Sequence, residues 1–319
     1  MNVTRRDFLK ASAALAGALT LKGAGLLQLQ KAMAAGEATG VPVIWLQGQS
    51  CTGCSVSLLN TIHYMTIDNL LVNTLDLKFH PSVMAAADDL AVGAAEDARE
   101  AEGYVLVIEG AIPVGAQGHY CHVWEEQTEG ENGEPVTMET AFKDFALHEN
   151  CICVLAVGTC ASYGGIPAGN PNPTIALGVN ETLSYLGIPG KDRPTVVNIP
   201  GCPSHPDWIV GTVAALLAGN MPELDGEGRP IEFFGEHVHY HCPNRGQGAK
   251  AKVLGDPGCL AGLGCNGQQT HADCPIRQWN AATAGGYGVN WCVGARNPCQ
   301  GCTEPDFPDG MSPFYSVKD

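Results

Sequence analysis

Basic residues are scarce in this chain. Its 319 residues carry 17 Lys and Arg against 33 Asp and Glu, a net charge of −16. Binding a phosphate backbone requires Lys and Arg to neutralise it, so nucleic acid is excluded as a partner. A basic protein surface is the better match, because opposite fields speed encounter. Long apolar runs are also missing after the amino terminus. No segment there approaches the ~20 apolar residues that cross a bilayer. Internal repeats and low-complexity tracts are absent, so repeat arrays are excluded.

Cysteine and glycine, by contrast, are abundant: 14 and 40 residues. This is more cysteine than packing requires, and either a disulfide framework or metal binding would account for it. The amino terminus bears on that choice. Thr4-Arg5-Arg6-Asp7-Phe8-Leu9-Lys10 reads as a twin-arginine export signal. A weakly apolar stretch follows, Ala11 to Leu29, interrupted by Lys22, and Ala32-Met33-Ala34 offers a small-residue cleavage site. Residues 1–34 are therefore read as a signal peptide and the mature chain as periplasmic. Without them 12 basic residues face 32 acidic ones, a net charge of −20. The twin-arginine route carries folded proteins, often with cofactors already inserted, which favours metal clusters over disulfides.

From residue 42 apolar strands alternate with helices. Strands are expected at Val43–Leu46, Asn73–Phe79, Tyr104–Ile108, Cys153–Val157 and Thr195–Ile199. Helices are expected from a Ser55 cap over Val56–Met65, and at Val83–Glu102, Thr174–Leu186 and Asp207–Leu217. An acidic stretch, Glu125 to Glu134, reads as a surface loop or hairpin. The alternation predicts an α/β fold, a flavodoxin-like doubly wound parallel sheet, over residues 35–225. Residues 226–319 have few apolar runs, dense turn residues and seven of the cysteines. This segment is expected to be a loop-rich domain with little regular structure, held by staples.

Cys51, Cys54, Cys160 and Cys202 each follow an expected parallel strand. Ligands of open sheets bind outside the carboxyl ends of the strands, so these thiols can converge there. Gly48, Gly53, Gly158, Gly164, Gly165 and Gly201 flank them and let backbone amides approach closely. Sulfide and thiolate sulfur accept hydrogen bonds from such amides, which tune an iron–sulfur cluster. Structural zinc also takes four thiolates, but usually from two close ligand pairs. In the tail, His239 and Cys242 are spaced H-x-x-C, with Cys259 and Cys265 following. Three Cys and one His suit either zinc or a cluster. His237, His239 and His241 would share one face of a strand, and the spacing to Cys242 selects His239. Cys274, Cys292, Cys299 and Cys302 form the last set, sufficient for a 4Fe-4S cubane. Cys121, Cys151 and Cys153 remain over and read as small hydrophobes.

These motifs in order resemble a known family. The export signal, WLQGQSCTGCS, VLVIEGAIP, VLAVGTCASYGG, VVNIPGCPSHPDW, CPNRG after His239, GCLAGLGCNG, CPIRQWN and CQGCTEPDFPD are similar to those of the small, electron-transfer subunit of periplasmic nickel–iron hydrogenases. The resemblance spans nearly the whole chain. It implies a proximal 4Fe-4S cluster on Cys51, Cys54, Cys160 and Cys202, and a distal one on His239, Cys242, Cys259 and Cys265. It also implies a medial cluster on Cys274, Cys299 and Cys302. Most members carry proline where this chain has Cys292, and their medial cluster is 3Fe-4S. With Cys292 a third 4Fe-4S cluster is expected. That departure, with the ending EPDFPDGMSPFY, resembles the nickel–iron–selenium subgroup. Oxygen-tolerant relatives have additional cysteines where this chain has Gly53 and Gly165. Glu109 matches a family glutamate near the proximal cluster; a helix or loop cap is the alternative role.

The implied reaction is the reversible oxidation of dihydrogen to protons and electrons. No residue of this chain is expected to be catalytic and no nickel site is found; nickel belongs to the large subunit, with cysteine or selenocysteine ligands. The implied partners are that large subunit and a multihaem c-type cytochrome with a lysine-rich surface, and peripheral attachment to the membrane is compatible with this reading. Two other classes compete. Cluster-bearing subunits of complex I and of cofactor-reducing hydrogenases share the first domain but lack the tail motifs and export signal. A secreted protein stapled by zinc and disulfides would lack visible absorption.

Overall fold

The computed structural model describes residues 41–100, 103–126, 133–217, 219–247, 250–281 and 288–316. The expected signal peptide, 1–34, lies outside them. Five strands form one sheet: β1 (Val41–Gln47), β2 (Leu75–Phe79), β3 (Tyr104–Glu109), β4 (Cys151–Val157) and β5 (Val196–Ile199). All pair in parallel, in the order β2-β1-β3-β4-β5. That is the flavodoxin-like order, with its switch point between β1 and β3.

The period of two along each strand separates two cores. Ile44, Leu46, Leu106, Ile108, Val154 and Ala156 face one way. They pack against Ala91, Ala95 and Ala98 of one helix and Phe142 and Phe145 of another. Val43, Trp45, Val105, Val107, Leu155, Val157, Val197 and Ile199 face the other way. There they meet Cys54, Leu58, Trp208, Ile209 and Val210. Each large apolar side chain so buried contributes about 1.5–3 kcal/mol.

Helix α1 (Gly53–Leu59) starts earlier and ends sooner than expected, and its cap is Thr52 in the left-handed region, φ 62°. Ser55 lies within the helix and spends its hydroxyl on Glu109. The Val83–Glu102 helix shortens to α2 (Asp89–Glu100), because residues 81–88 are held in turns and bends after His80. The ends of the acidic stretch lie on two antiparallel strands, His122–Glu126 and Glu134–Thr137; residues 127–132 lie outside the described residues. Helix α3 (Met138–Ala146) has no counterpart among the expected helices; Thr137 caps it, its Oγ1 accepting from Thr140 N at 3.1 Å. Helix α4 (Thr159–Tyr163) follows β4 directly. The Thr174–Leu186 segment is not one helix. Asn172 Oδ1 accepts from Ala176 N at 2.7 Å, Ala176–Leu177 pairs with Ile112–Pro113, and helix begins only at Val179. Helix α5 (Pro206–Leu217) follows β5.

Beyond residue 230 the regular pieces are one turn long, including α6 (Val238–His241) and α7 (Cys274–Arg277). The strand expected for the three histidines is therefore helical. Successive side chains turn by about 100°, so His237, His239 and His241 do not share a face. The apolar residues of this segment, among them Phe233, Phe234, Val238, Leu260, Leu263, Trp291 and Val293, join the buried cluster on the Val43 face of the sheet. The tail is thus anchored by apolar packing as well as by whatever its cysteines bind. Among the described residues no helix is long and apolar enough to cross a membrane.

Candidate metal centres along one edge of the sheet

The carboxyl ends of β1, β4 and β5 deliver the first four cysteines. Cys54 is buried in α1; Cys160 is half-buried in α4; Cys51 and Cys202 are exposed in the intervening loops. Burial pushes the Cys54 thiol well above its ordinary range, and the Glu109 carboxylate and the Cys160 and Cys51 sulfurs push it further. Ser204 N–H, 3.5 Å from Cys54 Sγ, works in the opposite direction. Burial, then the neighbouring Cys202 sulfur, raises Cys160 to about 12. Cys202 is raised by burial and by Cys51. Cys51 and Cys160 are thus neighbours of each other and of both Cys54 and Cys202. Gly158 makes room for them: at φ +87°, a Cβ there would stand 2.5 Å from Cys54 Sγ.

Glu109, at the end of β3, lies under this group and is 1% exposed. Its Oε1 accepts from Cys54 N at 3.0 Å and Ser55 N at 3.3 Å. Its Oε2 accepts from Trp45 Nε1 at 3.1 Å, Gln47 Nε2 at 2.9 Å and the Ser55 hydroxyl. Ser82 N donates to His80 Nδ1 at 3.1 Å, so His80 Nε2 carries the proton it shares with Ser55 Oγ at 3.0 Å. Glu109 thus caps the first turn of α1 and sits beside Cys54. Sequence reasoning missed its supporting residues Trp45, Gln47, Ser55 and His80.

In the tail, Cys274, Cys292, Cys299 and Cys302 gather. Burial lifts Cys274 well above its ordinary range, and the sulfurs of Cys302, Cys299 and Cys292 and the Asp273 carboxylate add to it. Burial likewise raises Cys302, with Cys299, Cys292 and Cys202 as neighbours. Cys299 is pushed up to about 12 by burial, against its side-chain contact with Thr270 and the Gly301 backbone; its thiol donates to Thr270 Oγ1 at 3.5 Å. Cys292 is raised by burial, with Cys265 as a neighbour. The third set is Cys242, Cys259 and Cys265. Cys242 is raised by burial and by the Cys265 and Cys259 sulfurs.

Among the three histidines, the His237 ring lies 4.1 Å from that of His271, and His241 Nε2 pairs with Glu236. The His239 ring has no hydrogen-bond partner among the described residues. Its backbone N–H donates to Gly267 O at 2.8 Å, and a Cβ on Gly267 would lie 3.6 Å from Cys265 Sγ.

The sets touch in sequence. Cys202 is a neighbour of the Cys302 sulfur, and the Thr159 hydroxyl donates to Cys302 O. Thr159 Oγ1 also accepts from Gly201 N at 2.8 Å. On the other side Cys299 N donates to Cys265 Sγ at 3.3 Å. The Cys274–Cys302 set therefore lies between the other two.

None of the 14 cysteines is in a disulfide. Among the described residues no three His, Cys, Asp or Glu side chains are arranged to hold one metal ion. Four thiolates can hold zinc; backbone N–H groups aimed at sulfur, as Ser204 N is at Cys54 and Cys299 N at Cys265, suit an iron–sulfur cluster. Cys153 is fully buried and Cys151 and Cys121 pack against the sheet core, away from the three sets.

Three comparisons with known proteins agree in region. Residues 51–216 match the family model for the NADH ubiquinone oxidoreductase 20 Kd subunit. Residues 234–315 match the model for the carboxyl-terminal region of NiFe/NiFeSe hydrogenase small subunits, and residues 2–25 that for the twin-arginine translocation signal. The chain is 41% identical over 327 residues to the periplasmic [NiFeSe] hydrogenase small subunit of Desulfomicrobium baculatum, covering 99% of each. It is 36% identical to a periplasmic [NiFe] hydrogenase small subunit of Nitratidesulfovibrio vulgaris, covering 98% of this chain and 93% of that one. The solved [NiFeSe]-hydrogenase of Dm. baculatum superposes with a TM-score of 0.80 at 42% identity, covering 88% of this chain and 100% of that one.

Proposed function

From the premise that this chain belongs to the small subunits of periplasmic nickel–iron and nickel–iron–selenium hydrogenases, we propose that it holds three 4Fe-4S clusters in a row. The chain is the electron-transfer part of a heterodimeric oxidoreductase acting on dihydrogen, and it is exported by the twin-arginine route.

In the proposed reading Cys51, Cys54, Cys160 and Cys202 hold the proximal cluster. Cys274, Cys292, Cys299 and Cys302 hold the medial one, and His239, Cys242, Cys259 and Cys265 the distal one. When bound, such clusters accept and release single electrons. The residues around them supply the rest. Burial keeps the free thiols protonated, so ligation must remove those protons. Ser204 N–H and Cys299 N–H point hydrogen bonds at sulfur. Glu109 fixes the N–H groups of Cys54 and Ser55 beneath the first set. The domain division follows the same line: a flavodoxin-like unit over 35–225 carries the first set, and 226–319 the other two.

The observation that carries the reading is the ordered adjacency, Cys202 against Cys302 and Cys299 against Cys265. The two ends of the row have different partners. The large subunit, with nickel and cysteine or selenocysteine, covers the proximal end. A multihaem c-type cytochrome with a basic surface meets the distal end, drawn by the net charge of −20 that remains without residues 1–34; peripheral membrane association is compatible with this arrangement. The test is a redox titration of the co-purified heterodimer followed by low-temperature EPR. Three centres reducible under dihydrogen are expected, with about 12 iron atoms on this polypeptide if all three are cubanes. Two centres, or a colourless protein, would count against it. The rate of cytochrome reduction should fall steeply with salt; a flat profile would remove the electrostatic argument for that partner.

A further inference from the structure

Arg277 ends α7, three residues after Cys274, and its side chain is 14% exposed. Three carboxylates surround it. Its Nη2 lies 2.7 Å and its Nε 2.8 Å from Asp273 Oδ2, while its Nη1 lies 3.2 Å from Asp207 Oδ2. Glu232 is the third, held above its ordinary range by burial, with Arg277 pulling it down. Tyr64 OH is 3.5 Å from Nη1, and the guanidinium stands 5.0 Å over the Phe233 ring. Asp207 belongs to α5, five residues after Cys202, and Asp273 directly precedes Cys274. One cation therefore bridges the loop that carries a proximal ligand and the helix that carries a medial ligand.

Two further bonds run across the same gap. Trp208 Nε1 donates to Asp273 Oδ1 at 2.8 Å. His205 Nδ1 accepts from Asp207 N at 3.0 Å, so its Nε2 carries the proton and donates to Gln278 O at 2.6 Å. His205 is 4% exposed and Trp208 1%, and burial lowers the His205 pKa, keeping the neutral tautomer.

We propose that Arg277 is a positioning residue for the medial centre: it compensates Asp207, Asp273 and Glu232 beside Cys274, raises that centre's potential, and with Trp208 and His205 fixes α7 against the Cys202 loop. The inference rests on the assignment of Cys274, Cys292, Cys299 and Cys302 to one cluster. The physical reason is charge. Reduction adds an electron to the centre, and uncompensated carboxylates nearby oppose it, more strongly in a buried, low-dielectric setting than in water. A fork with fixed geometry also orients both carboxylates, which an ammonium does not.

The experiment is an EPR-monitored redox titration of the holo heterodimer carrying Arg277→Met, Arg277→Lys or Trp208→Phe. Arg277→Met keeps the apolar contact with Phe233 but removes charge and donors. The medial midpoint is expected to fall, and the distal midpoint to move less, with iron content unchanged. Arg277→Lys should restore most of the midpoint, an outcome that simple loosening of the fold would not produce. Should Arg277→Met fail to assemble, Trp208→Phe, which removes the indole donor to Asp273 and some ring volume but no charge, should still lower the midpoint by a smaller amount. An unchanged medial midpoint in every variant that assembles overturns the proposal. A wild-type heterodimer with no cluster on those four cysteines would instead remove the assignment beneath it.

Discussion

Cys54 N–H donates to Glu109 Oε1 at 3.0 Å, joining two residues 55 positions apart. Four more donors converge on the same carboxylate, from Ser55, Trp45 and Gln47. This single side chain therefore organises the strand-to-helix turn that presents the first two thiols. Glu109→Ala strands those donors in a buried site, at a cost of about 1–3 kcal/mol for each left unsatisfied. Chemical denaturation of the heterodimer should show a loss of at least about 2 kcal/mol. Glu109→Gln, which removes charge but keeps volume, should raise the proximal midpoint in a redox titration. A midpoint identical to wild type would show that the carboxylate acts only as a cap.

Gly158 supports the proximal set by having no side chain. Gly158→Ala puts a methyl 2.5 Å from Cys54 Sγ, with φ at +87°. Loss of the proximal cluster is expected, about four irons of a cubane. Gly187→Ala is the control. Its φ is +69° but nothing lies within 4 Å of the new Cβ, so only a strain of about 1–2 kcal/mol should appear. Iron content after purification separates the two; equal iron in both would mean the close approach to Cys54 is relieved without consequence.

Cys292 joins Cys274, Cys299 and Cys302 as a fourth sulfur neighbour. Cys292→Pro should convert the medial centre to a three-iron form and raise its potential. The low-temperature EPR spectrum of the oxidised protein reads this directly. A spectrum unchanged from wild type would sink the assignment of Cys292.

A second buried ion network ties the last residues to the segment after α5. Arg229, 3% exposed, pairs with Asp225 at 2.8 Å and Glu304 at 3.1 Å. Glu304 Oε1 also accepts from His271 N at 2.5 Å. Glu304→Ala leaves a buried guanidinium short of a partner, and breaking such a pair costs about 3–5 kcal/mol. Thermal melting of the heterodimer should fall by several degrees. An unaltered melting temperature would mean that Asp225 and Thr303 O suffice.

The sheet was legible in the sequence because β1, β3, β4 and β5 are short apolar runs, and β1, β4 and β5 each end in glycine or proline before a cysteine. Val43–Leu46 and Tyr104–Ile108 lie within the observed strands. Helix limits were less legible where a side chain served another purpose. Ser55 looked like a cap, yet its hydroxyl is taken by Glu109. Asn172 holds Ala176 in a turn where periodicity suggested helix. The histidine trio alternated like a strand, but His237 caps a one-turn helix instead. The cysteine sets were read from spacing and family motif. Their neighbours Arg277, Asp207 and Trp208 were invisible, since only tertiary packing brings α5 against α7.

The central claim is that twelve donors hold three compact iron centres in a row. Anomalous diffraction at the iron edge from crystals of the isolated heterodimer measures this directly. The account predicts three iron sites in this polypeptide, the middle one against Cys274, Cys292, Cys299 and Cys302 and flanked by Cys202 on one side and Cys265 on the other. Fewer than three iron sites, or a zinc-edge signal at any of them, would contradict it.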